Sequence, residues 1–120
     1  MSVHTIRLAG PWQLESATDA TFRTRLPIDC PRGARLCAAR RFGRPGRLDV
    51  GERVWLVIDG LAGEAEILLN KVPLELVAGA DGLRGDITDG MVADNWLSIR
   101  WKGDESGGLA GPVWLEFVSG

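Results

Sequence analysis

The sequence predicts an all-β sandwich. Two observations carry that expectation. Apolar residues recur at every second position over short segments, and turns bearing Gly, Pro, Asp or Asn separate those segments at regular intervals. Together they suggest about eight strands in one compact unit over residues 1–120, with no linker, repeat or low-complexity stretch.

In chain order, Trp12 to Glu15 follows a Gly-Pro turn and reads as a first strand. Phe22, Thr24 and Leu26 alternate with Arg23 and Arg25 until Pro27 closes the segment. Ala34 to Arg41 and Leu61 to Leu69 have helix-favouring compositions. Both are short and bounded by Gly or Pro, so both read as strands whose pairing overrides a weak propensity. Arg53 to Asp59 sets Val54, Leu56 and Ile58 on one face against Trp55 and Val57 on the other. Glu64 to Asn70 precedes a tight turn at Asn70-Lys71. Asn95 to Lys102 alternates Leu97, Ile99 and Trp101 against Trp96, Ser98 and Arg100. Val113, Leu115 and Phe117 alternate with Trp114, Glu116 and Val118.

The chain has 120 residues, 45% of them hydrophobic and 25% charged, an ordinary globular balance. Area scaling gives roughly 6,300 Å² exposed when folded against roughly 19,000 Å² unfolded, so the core needs no disulfide staple. The longest apolar run, Val54 to Ile58, is too short to cross a bilayer, and Met1 to Leu8 lack the apolar stretch of a signal peptide. A cytoplasmic protein without a membrane partner is the expectation.

Charge is uneven. Residues 1–50 hold nine Arg, no Lys and four acids, and residues 51–120 hold five basic and twelve acidic groups, for a net charge of −2. Six arginines fall between Arg32 and Arg47. Such a cluster suits phosphate, but the chain is acidic overall and shows no nucleic-acid-binding motif. The expectation is a basic strand edge and loop pairing with the acidic second half, and no nucleic-acid partner. Cys30 and Cys37 have no second pair, and His4 is the only histidine, which argues against zinc. Two reduced thiols are expected rather than a disulfide.

The order of motifs resembles the N-terminal sugar-binding domain of glycoside hydrolase family 2, whose enzymes include β-galactosidases, β-glucuronidases and β-mannosidases. Leu8-Ala-Gly-Pro-Trp12-Gln-Leu14 is similar to that domain's opening, and Leu26-Pro27 to its next step. Ala39-Arg40-Arg41-Phe42 resembles its Arg-Arg strand, and Gly51 to Gly60 its central strand. Ala65 to Asn70, Asp86-Ile87-Thr88-Asp89, Asn95 to Ile99 and Gly107 to Leu115 resemble the remaining motifs, over about residues 6–118. The resemblance implies a galactose-binding-domain-like jelly roll of two packed antiparallel sheets. It departs at Val77 to Gly85, which is small and featureless, and at Lys71, which replaces a turn glycine. The family's catalytic carboxylates lie in a barrel that has no counterpart in these 120 residues. The resemblance therefore implies a non-catalytic module rather than an enzyme.

The residues agree with that implication. Asp86 and Asp89 flank Ile87-Thr88, where Asp and Thr ordinarily serve turns. His4 stands in no nucleophile motif, and no phosphate-cradling loop is present. Asp81, Asp94, Asn95, Asp104 and Glu105 could offer oxygens to calcium but match no loop consensus, so neither a metal nor another cofactor is expected. Trp12 and Trp101 read as core. Trp55, Trp96 and Trp114 fall in the opposite register and point outward if Val54, Leu97 and Val113 point inward. Three readings stay open for them: cover by a neighbouring segment, a protein-facing patch, or a sugar-stacking platform. Arg40 and Arg41 face opposite sides, so one must find a partner or lie at an edge; an Arg packed on an outward Trp would be a structural cation–π contact. The candidate binding residues are Trp55, Trp96, Trp114 and Arg40. They would serve a carbohydrate-binding module, or alternatively a protein-interaction or self-assembly domain that forms a homo-oligomer.

Overall fold

The computed structural model describes residues 2–16, 21–44, 48 and 50–119. Its fourteen strands, among the described residues, are β1 (Ser2–Arg7), β2 (Trp12–Glu15), β3 (Thr21–Thr24), β4 (Ile28–Cys30), β5 (Cys37–Gly43), β6 (Arg53–Ile58), β7 (Leu61–Ala62), β8 (Ala65–Leu69), β9 (Val72–Pro73), β10 (Val77–Gly79), β11 (Gly82–Asp86), β12 (Asp94–Trp101), β13 (Gly107–Leu109) and β14 (Val113–Ser119). They form a five-stranded sheet ordered β1-β14-β6-β11-β10, a six-stranded sheet ordered β3-β2-β5-β12-β8-β9, and a small sheet ordered β4-β13-β7. All the pairings are antiparallel. The expected all-β sandwich is present, with a third small sheet added to the expected two.

Period-two alternation explains which residues enter the core. Val54, Leu56 and Ile58 of β6 and Val113, Leu115 and Phe117 of β14 are buried from one sheet. Trp12, Leu14, Ala38, Phe42, Leu97, Ile99 and Trp101 meet them from the other, in one cluster. Burying each such aliphatic side chain is worth roughly 1.5–3 kcal/mol. Ile28, Cys30 and Leu109 of the small sheet join the same cluster. Trp12 and Trp101 are core residues, as the sequence suggests. Each also satisfies its indole N–H, Trp12 on the Leu8 carbonyl and Trp101 on the Ala62 carbonyl, both at 3.0 Å.

Both helix-favouring segments are strands where they are regular. Leu61 to Leu69 divides into β7 and β8, and the Ala34 segment becomes regular only at Cys37. The first strand is β1, not the segment at Trp12. Its apolar alternation is weak because it forms a sheet edge on which Val3, His4 and Thr5 are all exposed. Strands of two or three residues, such as β7 and β9, are too short to display a period at all.

Two local features account for residue choices in the motifs. Asn70 and Lys71 link β8 to β9 with φ of 51° and 71°, the two-residue turn in which both positions are left-handed. At the Gly107-Gly108 pair, an added Cβ would come within 2.4 Å of the Ala62 carbonyl oxygen or 2.3 Å of that of Ile28. Only glycine lets the backbones of the small sheet approach this closely.

Among the described residues, no helix is long and apolar enough to cross a membrane.

Candidate functional site

The outer face of the six-stranded sheet is concave because its middle is built from small side chains. Ser98 of β12 lies opposite Ala39 of β5, and Ala39 lies opposite Gln13 of β2. Larger groups rise around them, giving two adjoining hollows of about 330 and 490 Å³. The first is lined by Pro11, Arg23, Arg40 and Arg41, the second by Glu15, Cys37, Asn70, Lys71, Ser98 and Arg100. Gln13, Ala39 and Trp96 line both.

Trp96 is 41% exposed, an unusual position for an indole. Its backbone is firmly held. The Trp96 N–H donates to Asn70 Oδ1 at 2.9 Å, and the Trp96 carbonyl accepts from the Asn70 N–H at 2.9 Å. The Asn70 amide in turn donates to Asn95 Oδ1 at 3.0 Å and to the Gly90 carbonyl. Asn95 is wholly buried, and both ends of its amide are used. Oδ1 also accepts from the Val92 N–H at 2.8 Å, and Nδ2 donates to the carbonyls of Val92 and Phe42. An exposed indole thus stands on a buried, saturated amide network.

The arginines beside it differ in their partners. Arg41 makes a forked ion pair with Asp94, which holds its guanidinium above its ordinary value and the Asp94 carboxyl below its own. Arg40 lies opposite Leu97 on β5, so its side chain leaves from the core-facing side of the strand. It donates to the Arg41 carbonyl, while its Nε is buried without a hydrogen-bond partner. Partial burial pushes its pKa down. Neither Arg40 nor Arg23 has a carboxylate partner among the described residues. The expected pairing of the basic first fifty residues with the acidic remainder reduces to a single ion pair there, Arg41–Asp94. The other ion pairs form within residues 51–120. Arg47 lies outside the described residues.

Trp55 and Trp114 occupy the opposite side of the molecule, on the outer face of the five-stranded sheet, so the three outward tryptophans do not form one patch. Both are half-buried and engaged. Trp114 Nε1–H donates to Glu116 at 3.0 Å, Glu116 pairs with Arg84 at 2.8 Å, and the Arg84 guanidinium lies 4.9 Å from the centre of a Trp55 ring. The cation–π contact considered for Arg40 or Arg41 is therefore made by Arg84. Val57, between Trp114 and Arg84 in register, is fully buried on this same outer face. Beside Trp55, the exposed Val77 lines a hollow of about 320 Å³.

Asp86 and Asp89 do turn work. Asp86 accepts from the Thr88 N–H at 2.9 Å and from its hydroxyl, and takes Arg53 at 2.8 Å; Arg53 also reaches Asp89 at 3.4 Å. Burial pushes the Asp86 carboxyl up, but the Arg53 and Thr88 contacts outweigh it and hold it low. Among the described residues, no three His, Cys, Asp or Glu side chains are grouped to hold a metal. Cys30 and Cys37 are free thiols.

Of the four candidate residues, the structure brings Trp96 and Arg40 together and leaves Trp55 and Trp114 elsewhere. Gln13, Arg23, Ala39 and Ser98 escaped sequence reasoning. Their signal was the outward register of four separate segments, which becomes a site only once β3, β2, β5 and β12 are known to be neighbours.

No protein-family model matches the chain, and no curated protein does. Solved structures do. An FMN-binding β-glucuronidase from F. prausnitzii L2-6 matches 98% of this chain and 23% of its own length, at a TM-score of 0.79 and 23% identity. A β-glucuronidase from an uncultured Clostridium sp. matches over 98% of this chain and 29% of its own (TM-score 0.73, 14% identity). A rhamnosidase from Novosphingobium sp. PP1Y matches over 98% and 15% (TM-score 0.72, 19% identity). The chain thus has the fold of one sandwich-sized part of these glycosidases and spans less than a third of their length.

Proposed function

We propose that the chain is a non-catalytic carbohydrate-binding module whose site is the outer face of the six-stranded sheet. The observation that carries the reading is Trp96. A half-exposed indole, on a backbone held by Asn70, adjoins a polar trough furnished by Gln13, Ser98 and arginines. Pyranose rings present an apolar face that stacks on such an indole and hydroxyls that bind such neighbours. The likeness to parts of glycosidases supports the reading only as far as fold, because function lies in sites. Asp86, Asp89, Asp94 and Glu116 are engaged by cations or turn groups, which supports a structural rather than a catalytic use of these four acids. The free thiols suit a reducing compartment such as the cytoplasm.

The test is titration of intrinsic fluorescence with a panel of neutral and charged oligosaccharides. Saturable change that is lost in Trp96→Ala, and kept in Trp55→Phe and Trp114→Phe, is expected. Binding unaffected by Trp96→Ala would overturn this location, and no binding across the panel would overturn the function.

A second reading rests on the hollow beside Trp55, where exposed Val77 makes a partly apolar surface suited to a protein contact or self-association. Light scattering over a dilution series tests it. A concentration-dependent size abolished by Val77→Asp supports it, and a monomer at all concentrations removes the self-association form.

A further inference from the structure

We infer that the ligand of the Trp96 trough is an acidic oligosaccharide, a glycan carrying carboxylate or sulfate groups, whose oxyanion is held by Arg40 and Arg23. The inference rests on the sugar-binding reading and adds the ligand class. Three guanidiniums, those of Arg23, Arg40 and Arg41, line one hollow of about 330 Å³ with Gln13 and Trp96. Among the described residues, one carboxylate, that of Asp94, answers them, and it is committed to Arg41. The hollow is thus locally cationic on a chain whose net charge is −2.

Arg40 is the sharper clue. A guanidinium withdrawn from water loses solvation that a structural arginine regains from a carboxylate or from several carbonyl groups. Arg40 receives one carbonyl, and its Nε is left without a partner. The planar fork of a guanidinium matches carboxylate and sulfate oxygens, which would pair with the edge of Arg40 that lines the hollow. Arg53 and Arg84, on the opposite sheet, show the contrasting condition: each has its carboxylate within the chain, at 2.8 Å. Trp96 and Gln13 on the same hollow give the sugar ring that carries the anion an apolar surface and a hydrogen-bonding amide. The neutral part of the ligand therefore stacks while the charged part enters the fork.

Calorimetric or fluorescence titration of the whole chain with three probes decides the matter: a tetragalacturonate, its fully methyl-esterified form, and a sulfated galactan tetrasaccharide. The charged probes are expected to bind about tenfold tighter than the ester at low salt, as charge-assisted hydrogen bonds imply, and to weaken as salt rises. The tighter of the two charged probes identifies the oxyanion. Arg40→Gln should bring the charged probes to the level of the ester without weakening the ester itself. Because Arg40 is partly buried, Arg23→Gln serves as a second variant at a solvent-facing position and should produce the same change in smaller measure. Equal binding of ester and charged probes would overturn the acidic class while leaving the sugar-binding reading intact. Failure of all three probes to bind the natural chain would overturn both.

Discussion

Replacing Asn95 tests the claim that a buried amide supports the exposed face. Its side chain is fully enclosed and makes four hydrogen bonds, to Asn70, to both backbone groups of Val92 and to the Phe42 carbonyl. Three are between 2.8 and 3.0 Å and the fourth, to Phe42, is 3.4 Å. Counting about 1 kcal/mol for each of the three shorter bonds, Asn95→Ala should cost about 3 kcal/mol. For a chain of this length the melting entropy is roughly 0.25 kcal/mol/K, so the melting temperature should fall by about 12 °C. Asn95→Asp sharpens the test. At neutral pH a buried carboxylate would face the Val92 and Phe42 carbonyls, so the loss should exceed that of alanine. The folded-state pKa of the introduced acid would be raised. Its penalty is therefore small below the unfolded value near 4 and grows as pH rises above it. Urea melts followed by tryptophan emission, at pH 3.5 and pH 7, measure both variants against the natural chain. A loss below about 1 kcal/mol for alanine, or an aspartate variant as stable as the natural chain at pH 7, would show that the amide is not the support inferred here.

The remaining expectations concern the turn, the opposite face and the indole itself. Lys71→Gly should stabilise the fold by about 0.5–1 kcal/mol, because a left-handed lysine costs about 1–2 kcal/mol and glycine returns part of that as chain entropy; a destabilised variant in chemical melts would contradict the turn geometry. Glu116→Gln should cost on the order of 1 kcal/mol at pH 7 and redden the emission of Trp55 and Trp114. Burial raises the Glu116 carboxyl, but the Trp114 N–H and Arg84 outweigh it and hold the group below its ordinary 4.5. Its contribution is thus present above that value and vanishes as pH falls through the lower folded one, so the gap between natural and variant melts should close in acid. Trp96→Ala should cost little stability, in contrast to the roughly 3–5 kcal/mol expected at Trp12, whose indole is fully enclosed; comparable losses at the two positions would make Trp96 a core residue.

What the sequence displayed was set by how far each segment alternates. β6, β12 and β14 have six to eight residues with one face largely apolar and buried, so their register could be read directly, although Val57 of β6 is buried on the other face as well. β1 could not, since an edge strand has little to bury on either side. The outward register of Trp55, Trp96 and Trp114 was legible, but which of them share a face was not. That depends on strand order: β6 and β14 are neighbours in one sheet and β12 belongs to the other. The same limit hid Ala39 and Ser98, whose smallness matters only because they lie side by side. Arg40 shows the complementary case. Strand alternation correctly separates it from Arg41, yet only the structure reveals that Arg41 takes the nearby carboxylate and leaves Arg40 without one.

The two outer faces obey one pairing rule and reach opposite ends. On the five-stranded sheet, the outward aromatic and charged groups at its middle find their complements within the chain. The Trp114, Glu116, Arg84 and Trp55 chain closes over Val57, and Arg53 is shared between Asp86 and Asp89. Such a surface has little unspent chemistry, and a ligand there must first displace contacts the chain already makes. On the six-stranded sheet the bonding is concentrated below the surface, in Asn70 and Asn95, while Trp96 and Arg23 stand above it and Arg40, leaving β5 from the core-facing side, reaches the hollow with few partners. Rigidity without saturation is what a binding site requires, because groups held in place lose little freedom when a ligand arrives. This contrast, rather than the presence of tryptophan as such, separates the face proposed to bind from the face that holds itself together.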